Sequence, residues 1–167
     1  LKKDARPFDT EPEVLCCPAD GKVLVYNHLV DDAALPIKGQ HVRLDTLIAC
    51  SETAARYTQG SALIVRLAPY DYHRYHFFDT GHAEPANIIN GQYHSVNPIA
   101  LAQNPTIFAL NKRAITTIDS ATFGAVCCIE IGALNVSSIV QTYAPGPVQR
   151  GQEKGFFQFG GSTLVLL

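Results

Sequence analysis

Methionine and tryptophan are absent from these 167 residues, and charged side chains make up only 17% of them. A translated chain starts at methionine, so Leu1 reads as following an upstream stretch that these residues leave out. The charges nearly cancel, at a net −2, which argues against a nucleic-acid binder with its usual basic patch. Apolar residues hold an ordinary 47%, which argues against intrinsic disorder. Long apolar runs are missing too. The best stretch, residues 123–134, is interrupted by Gly124, Glu130 and Gly132 and falls short of the ~20 residues a spanning helix needs. No basic-then-apolar leader pattern opens the chain.

Cysteine is present but in the wrong pattern for a scaffold. Cys16, Cys17, Cys50, Cys127 and Cys128 are odd in number, four of them lie in adjacent pairs, and there is no CxxC spacing. That fits neither a disulfide framework nor a zinc site. Adjacent cysteines in a strand point to opposite faces, so free, buried thiols in a reducing compartment are expected.

The length suits one domain. Residues 1–18 read as an extended opening segment, and the turn Pro18-Ala19-Asp20-Gly21 leads into a strand over 22–30. A loop is expected at 36–40. Residues 44–57 have helical spacing, with Leu44, Leu47, Ile48 and Ala55 on one side and Asp45 near the start. Gly60 ends that helix, and 61–67 is the next strand. Short β-branched or apolar runs follow at 86–89, 114–118, 123–131 and 138–143, with one helical turn over 98–103. After a turn at 144–147 and a polar stretch at 151–155, the chain finishes with 156–159 and the strand 162–167. Such spacing is typical of sandwiches and barrels. The expected fold is mainly β (α+β): a single antiparallel, sandwich- or barrel-like domain over 1–167 with one substantial helix.

Three places can carry chemistry. Tyr70-Asp71-Tyr72-His73-Arg74-Tyr75-His76 packs two imidazoles among groups that donate and accept protons. The HxxH pair suggests a metal, yet no third ligand is nominated, and it equally fits one surface and one core histidine. Phe159-Gly160-Gly161-Ser162-Thr163 couples flexible backbone to a hydroxyl. A nucleophile there needs a nearby base, while a plain turn between strands reads the same way; the GxxxxGK[ST] phosphate loop is absent. Asp20 sits in a turn that needs no further explanation. Only the tertiary fold can join three places so far apart in the chain.

In combination these segments resemble the phosphatidylserine decarboxylase family, collinearly over most of the chain. The matching blocks are Pro18 to Gly21, Ile37-Lys38-Gly39-Gln40, Arg66 to His76, Gly91 to Pro98 and Leu110-Asn111-Lys112-Arg113. They continue with Phe123-Gly124, Val136-Ser137-Ser138-Ile139, Gly151-Gln152-Glu153-Lys154-Gly155 and Phe159 to Thr163.

The resemblance implies a zymogen that cleaves itself between Gly161 and Ser162. Ser162 becomes a covalent pyruvoyl group, and 162–167 starts the small chain. His76 is implied as the base and Asp20 as its orienting carboxylate, in the logic of a Ser-His-Asp triad. His73 is implied in the decarboxylation itself, protonating the carbanion carbon. The pyruvoyl would form a Schiff base with the amine of phosphatidylserine and serve as electron sink, giving phosphatidylethanolamine and carbon dioxide with neither metal nor PLP.

Implied too are a peripheral place on the cytoplasmic face of the cell membrane, or on an organelle membrane, no nucleic-acid partner, and room for a homodimer. Gly160 stands where many bacterial members carry leucine, a variant found in other branches. Family members usually have an N-terminal membrane-docking region and more residues after the serine. The 167 residues therefore read as a catalytic core cut at both ends. A pyruvoyl decarboxylase of a free aromatic amino acid is the alternative that Asp20 argues against. An uncleaved, non-catalytic homologue is the alternative that Asp20, His73, His76 and Ser162 together argue against.

Overall fold

The computed structural model describes residues 6–29, 34–37, 40–104, 106–133, 138–158, 160 and 162–167. Gly161, half of the expected cleavage bond, lies outside them, as do Lys38, Gly39, Val136, Ser137 and Phe159 of the matching blocks.

The organising strand is β13 (Ser162–Leu166), buried at every position. A run such as Ser-Thr-Leu-Val-Leu suits a strand covered on both faces, where hydrophobicity need not alternate. It pairs antiparallel with β4 (Ala62–Leu67) on one side and β9 (Gly124–Ile131) on the other. Beyond β4 lies β1 (Lys22–Tyr26). Beyond β9 lies β8 (Arg113–Ser120), then β6 (Gly81–Ala83) and β11 (Gly146–Val148), with β7 (Asn87–Ile89) also on β8. A second sheet runs β10 (Ser138–Gln141), β12 (Glu153–Gln158), β5 (Arg74–His76), and β2 (Ala34–Ile37) pairs with β3 (Gln40–Arg43). The result is a single β-rich domain built from antiparallel sheets, as the alternation of short apolar runs and turn residues implied.

The two faces of the large sheet differ. Thr116 pairs with Cys128 and Glu130 with Leu164, so these side chains, with Ser162, share the face toward the second sheet. Arg113, Cys127 and Thr163 lie on the other. There Arg113 donates to the carbonyls of Thr46 and Leu47 in α1 (Leu44–Ile48) and of Ala109 in α4 (Ile107–Leu110).

The expected long helix over 44–57 is instead two short ones, α1 and α2 (Ser51–Ala55). The break has a cause. The Thr46 and Leu47 carbonyls would bond the N–H groups of Cys50 and Ser51 in a continuing helix, but Arg113 occupies them at 3.0 and 2.6 Å. Ala49 turns left-handed at φ 57°, and Cys50 is extended. The turn at 98–103 is α3 (Pro98–Gln103), capped by Asn97 Oδ1 accepting from the Ala100 N–H at 2.7 Å.

Other departures are local. The 22–30 strand ends at Tyr26, and the expected loop at 36–40 carries parts of β2 and β3. β5, β6 and β11 are three residues each, too short for a period to show. β12 begins inside the polar stretch at 151–155. All five cysteines are free, but only Cys127 and Cys128 are buried; Cys16 is half-buried and Cys17 and Cys50 are exposed.

Candidate active site

Ser162 opens β13 opposite Leu67, the last residue of β4. Its hydroxyl is fully buried and has no hydrogen-bond partner among the described residues; the Thr163 hydroxyl is in the same state. An orphaned buried hydroxyl costs stability, so Ser162 is a group without a structural reason to be polar.

The chain leaving β4 folds back beside it. Asp71 Oδ2 accepts from the Ala68 N–H at 2.7 Å, and the Asp71 N–H donates to the Ala68 carbonyl at 2.9 Å, a turn built by its own aspartate. Two residues on, the His73 ring lies between two carbonyls: Nδ1 is 2.6 Å from Asp71 O and Nε2 is 2.5 Å from Gly160 O. Gly160 has φ +92°, a conformation side-chain-bearing residues rarely adopt. Glycine at 160 therefore lets the chain turn its carbonyl onto His73 just before Ser162.

His76 belongs to a second group. Its backbone N–H donates to Pro18 O at 2.8 Å, which ties the turn bearing Asp20 to β5. Nδ1 donates to Gly151 O at 3.0 Å, leaving Nε2 to face the Tyr72 hydroxyl at 3.4 Å, with the two rings stacked. Asp20 is held by Arg6, whose Nε and Nη2 donate to Oδ2 at 3.1 and 2.8 Å. The Arg6 guanidinium lies 3.8 Å above the Tyr72 ring. Asp20, Arg6, Tyr72 and His76 thus form one layered stack along a cavity of about 730 Å³. Arg150 fastens the opening segment that walls this cavity, donating to the Glu11, Pro12 and Val14 carbonyls at 2.7–2.9 Å.

The four expected site residues therefore fall into two pairs. His73 stands with Ser162 through Gly160, and His76 shares a cavity with Asp20 without a direct bond between them among the described residues. Arg6, Asp71 and Tyr72 were missed as site formers. Asp71 and Tyr72 lie inside the recognised segment, whereas nothing in the sequence marks Arg6. Among the described residues no group of three or more histidine, cysteine, aspartate and glutamate side chains is arranged to hold a metal. Nor is any helix there long and apolar enough to cross a membrane.

The family model for phosphatidylserine decarboxylase matches residues 1–167. The chain belongs to the phosphatidylserine decarboxylase family. Curated relatives in this family include the phosphatidylserine decarboxylase proenzyme of Chlamydia muridarum, 50% identical over all of this chain and 56% of the relative. That of Ruminiclostridium cellulolyticum is 45% identical over the same shares, and that of Clostridium botulinum 45% identical over 99% of this chain and 57% of its own. The chain thus spans a little over half the length of these decarboxylase proenzymes.

Proposed function

We propose that the protein cleaves itself at Gly161–Ser162 and then decarboxylates phosphatidylserine to phosphatidylethanolamine. The observation that carries this reading is the buried Ser162 hydroxyl, without a partner among the described residues, two positions after the Gly160 carbonyl that the His73 ring meets. Ser162 fits as the source of the pyruvoyl group that the family implies, because its oxygen makes no hydrogen bond among the described residues. In the cleavage, Ser162 Oγ attacks the Gly161 carbonyl and the amide becomes an ester. A base removes the Ser162 α-proton and the Gly161 carboxylate departs. The dehydroalanine left behind exchanges its nitrogen for the oxygen of water, with loss of ammonia. The resulting pyruvoyl supplies a carbonyl that takes up the electrons released with carbon dioxide.

His76 is assigned the base and Asp20 the carboxylate that supports it. Nδ1 donates to Gly151, so Nε2 is the nitrogen with a lone pair to use. The hydroxyl of Tyr72 must release that nitrogen first. His73, already beside residue 160, is assigned the proton delivered to the carbanion carbon after carbon dioxide leaves. Access to a lipid headgroup calls for a peripheral position on a membrane, at the cytoplasmic face, and a homodimer is compatible with the fold.

Intact-mass analysis of the full protein tests the reading: two chains are expected, the smaller reacting with hydroxylamine through its carbonyl. Ser162→Ala, Asp20→Asn and His76→Ala should each leave one chain. His73→Ala should yield two chains that release no carbon dioxide from phosphatidylserine vesicles. A Ser162→Ala protein that still cleaves overturns the reading. Carbon dioxide from free tryptophan but not from vesicles overturns the lipid substrate alone.

A further inference from the structure

The space between the two larger sheets holds a charged pair that the chemistry above does not use. Lys154 and Glu130 have side chains 1% and 0% exposed. Lys154 Nζ donates to Glu130 Oε1 at 2.6 Å, Gln141 Oε1 at 2.9 Å and Thr116 Oγ1 at 3.0 Å, so all three protons are used. Gln141 Nε2 and Cys128 Sγ donate back to Glu130, each at 3.2 Å. Burial pulls the Lys154 ammonium down, but Glu130 and its neighbours outweigh it and hold it above the ordinary lysine value. A buried pair recovers little of its desolvation cost, and apolar replacements are often as stable or more so. Stability is therefore a poor reason for its presence.

Position suggests a better one. Glu153 pairs with His76 while Gly155 pairs with Tyr75, so Lys154 is the extra residue of a β-bulge in β12. Bulges re-aim side chains beside functional sites, and this one turns a lysine inward. Lys154 lies in β12, the strand that precedes β13 in the chain, and only residues 159–161 separate the end of β12 at Gln158 from Ser162. Glu130 stands opposite Leu164 on the face that Ser162 shares, which makes Ser162 a diagonal neighbour ~7–8 Å away. The pair thus holds the strand before the expected cleavage bond to the strand beside the one after it. Four Cα steps from Gln158 to Ser162 reach at most ~14 Å, and facing sheets lie ~10 Å apart. A slip of one residue between the sheets, ~3.3 Å along a strand, lies within that reach. The linking residues alone do not forbid it, yet it would carry His73 away from Gly160.

We infer that Lys154 and Glu130 are positioning residues that set the register between the two sheets and so hold Gly160 and Ser162 in place for self-cleavage. The inference rests on the reading of Ser162 as the nucleophile. Hydrogen bonds of fixed direction specify one alignment, whereas apolar side chains tolerate sliding.

The test replaces both charges in the full protein, Lys154→Met with Glu130→Leu, and follows cleavage by mass against pH. The melting temperature should hold or rise while the plateau rate falls about tenfold or more, the scale expected for sub-ångström misplacement. The midpoint of the rate–pH curve should not move, because the pair passes no proton. A double variant that cleaves at the parent rate overturns the inference, and so does a shifted midpoint. Should that variant not fold, Thr116→Val removes one bond to Lys154 without stranding a charge. It should cleave about threefold more slowly with only a small fall in melting temperature, on the scale of one lost hydrogen bond, and an unchanged rate overturns the inference. A parent protein that never cleaves overturns the proposed function and this inference together.

Discussion

Asp79 shows how much one side chain can be made to carry. Oδ1 accepts from Arg150 Nη2 at 2.8 Å, and Oδ2 accepts from Ser120 Oγ at 2.6 Å and the Thr122 N–H at 3.1 Å. Burial alone would raise its pKa, but Ser120, Arg150 and backbone N–H groups outweigh burial and bring it from 3.8 to about 2. A carboxyl depressed on folding stabilises the folded state above its unfolded pKa and loses that effect as pH falls through the folded one. Asp79→Asn should therefore lower stability near neutrality by ~2 kcal/mol, at ~1.4 kcal/mol per pH unit. The gap from the parent should close between about pH 4 and pH 2. Urea titrations across that range check this, and a gap that persists at pH 2 would refute the assignment. At this scale the sequence nominated candidates where they sit in contiguous motifs: Asp20, His73, His76 and Ser162 all came from short blocks. Arg6, Glu130 and Lys154 stayed silent because their partners are 14 and 24 residues away.

Among the elements, Arg113 does what no backbone pattern announces. Its guanidinium donates to the carbonyls of Thr46, Leu47, Ala109 and Asn111, and burial lowers its pKa. Helix C-termini leave carbonyls unpaired, and one side chain here serves two of them. Arg113→Lys, with fewer and differently directed donors, should cost ~2–3 kcal/mol; a loss under ~0.5 kcal/mol in chemical denaturation would show that the carbonyls find other partners. Gly155 marks the other constraint. A β-carbon there would lie 2.2 Å from the Val140 carbonyl and 2.6 Å from the Tyr75 hydroxyl. Gly155→Ala should cost ~3 kcal/mol or more, beyond ordinary overpacking, since the clash includes backbone. If the effect runs through the bulge, cleavage should slow in the same variant. Helical periodicity over 44–57 was legible, and Leu44, Leu47 and Ile48 of its apolar side are buried while Ala55 is exposed. The break, set by an arginine 63 residues beyond Cys50, starts a new helix that buries Ala54 instead.

The described residues form one large sheet with a smaller sheet on one face, α1 and α4 on the other, and the β2–β3 pair just before α1 in the chain. The two cysteines of β9 report both interfaces. Cys127 faces the helices and burial pushes its thiol up to about 12, while Cys128 faces the second sheet and is raised well above the usual thiol range by burial and Glu130. Exposed Cys50 is instead lowered by its bond from Thr53. A thiol reagent should label Cys50 at once, whereas Cys127 and Cys128 should react only as the fold opens globally. Mass spectrometry with time resolves the three, and equal rates at Cys50 and Cys128 would contradict the layered packing.

By itself the sequence determined composition-level facts and everything carried by neighbours along the chain. These include the β-rich class, the strands at 61–67, 123–131 and 162–167, the opposite facing of Cys127 and Cys128, and the motifs that assign the family. Apolar runs and turn residues act over a few positions, so they can be read without a fold. Tertiary structure decided which of those pieces meet. It put His73 on the Gly160 carbonyl, set His76 beside Tyr72 in the cavity of Asp20, and closed Lys154 on Glu130 between the sheets. Those contacts depend on strand order and on a single bulge, and neither leaves a local signal in the chain.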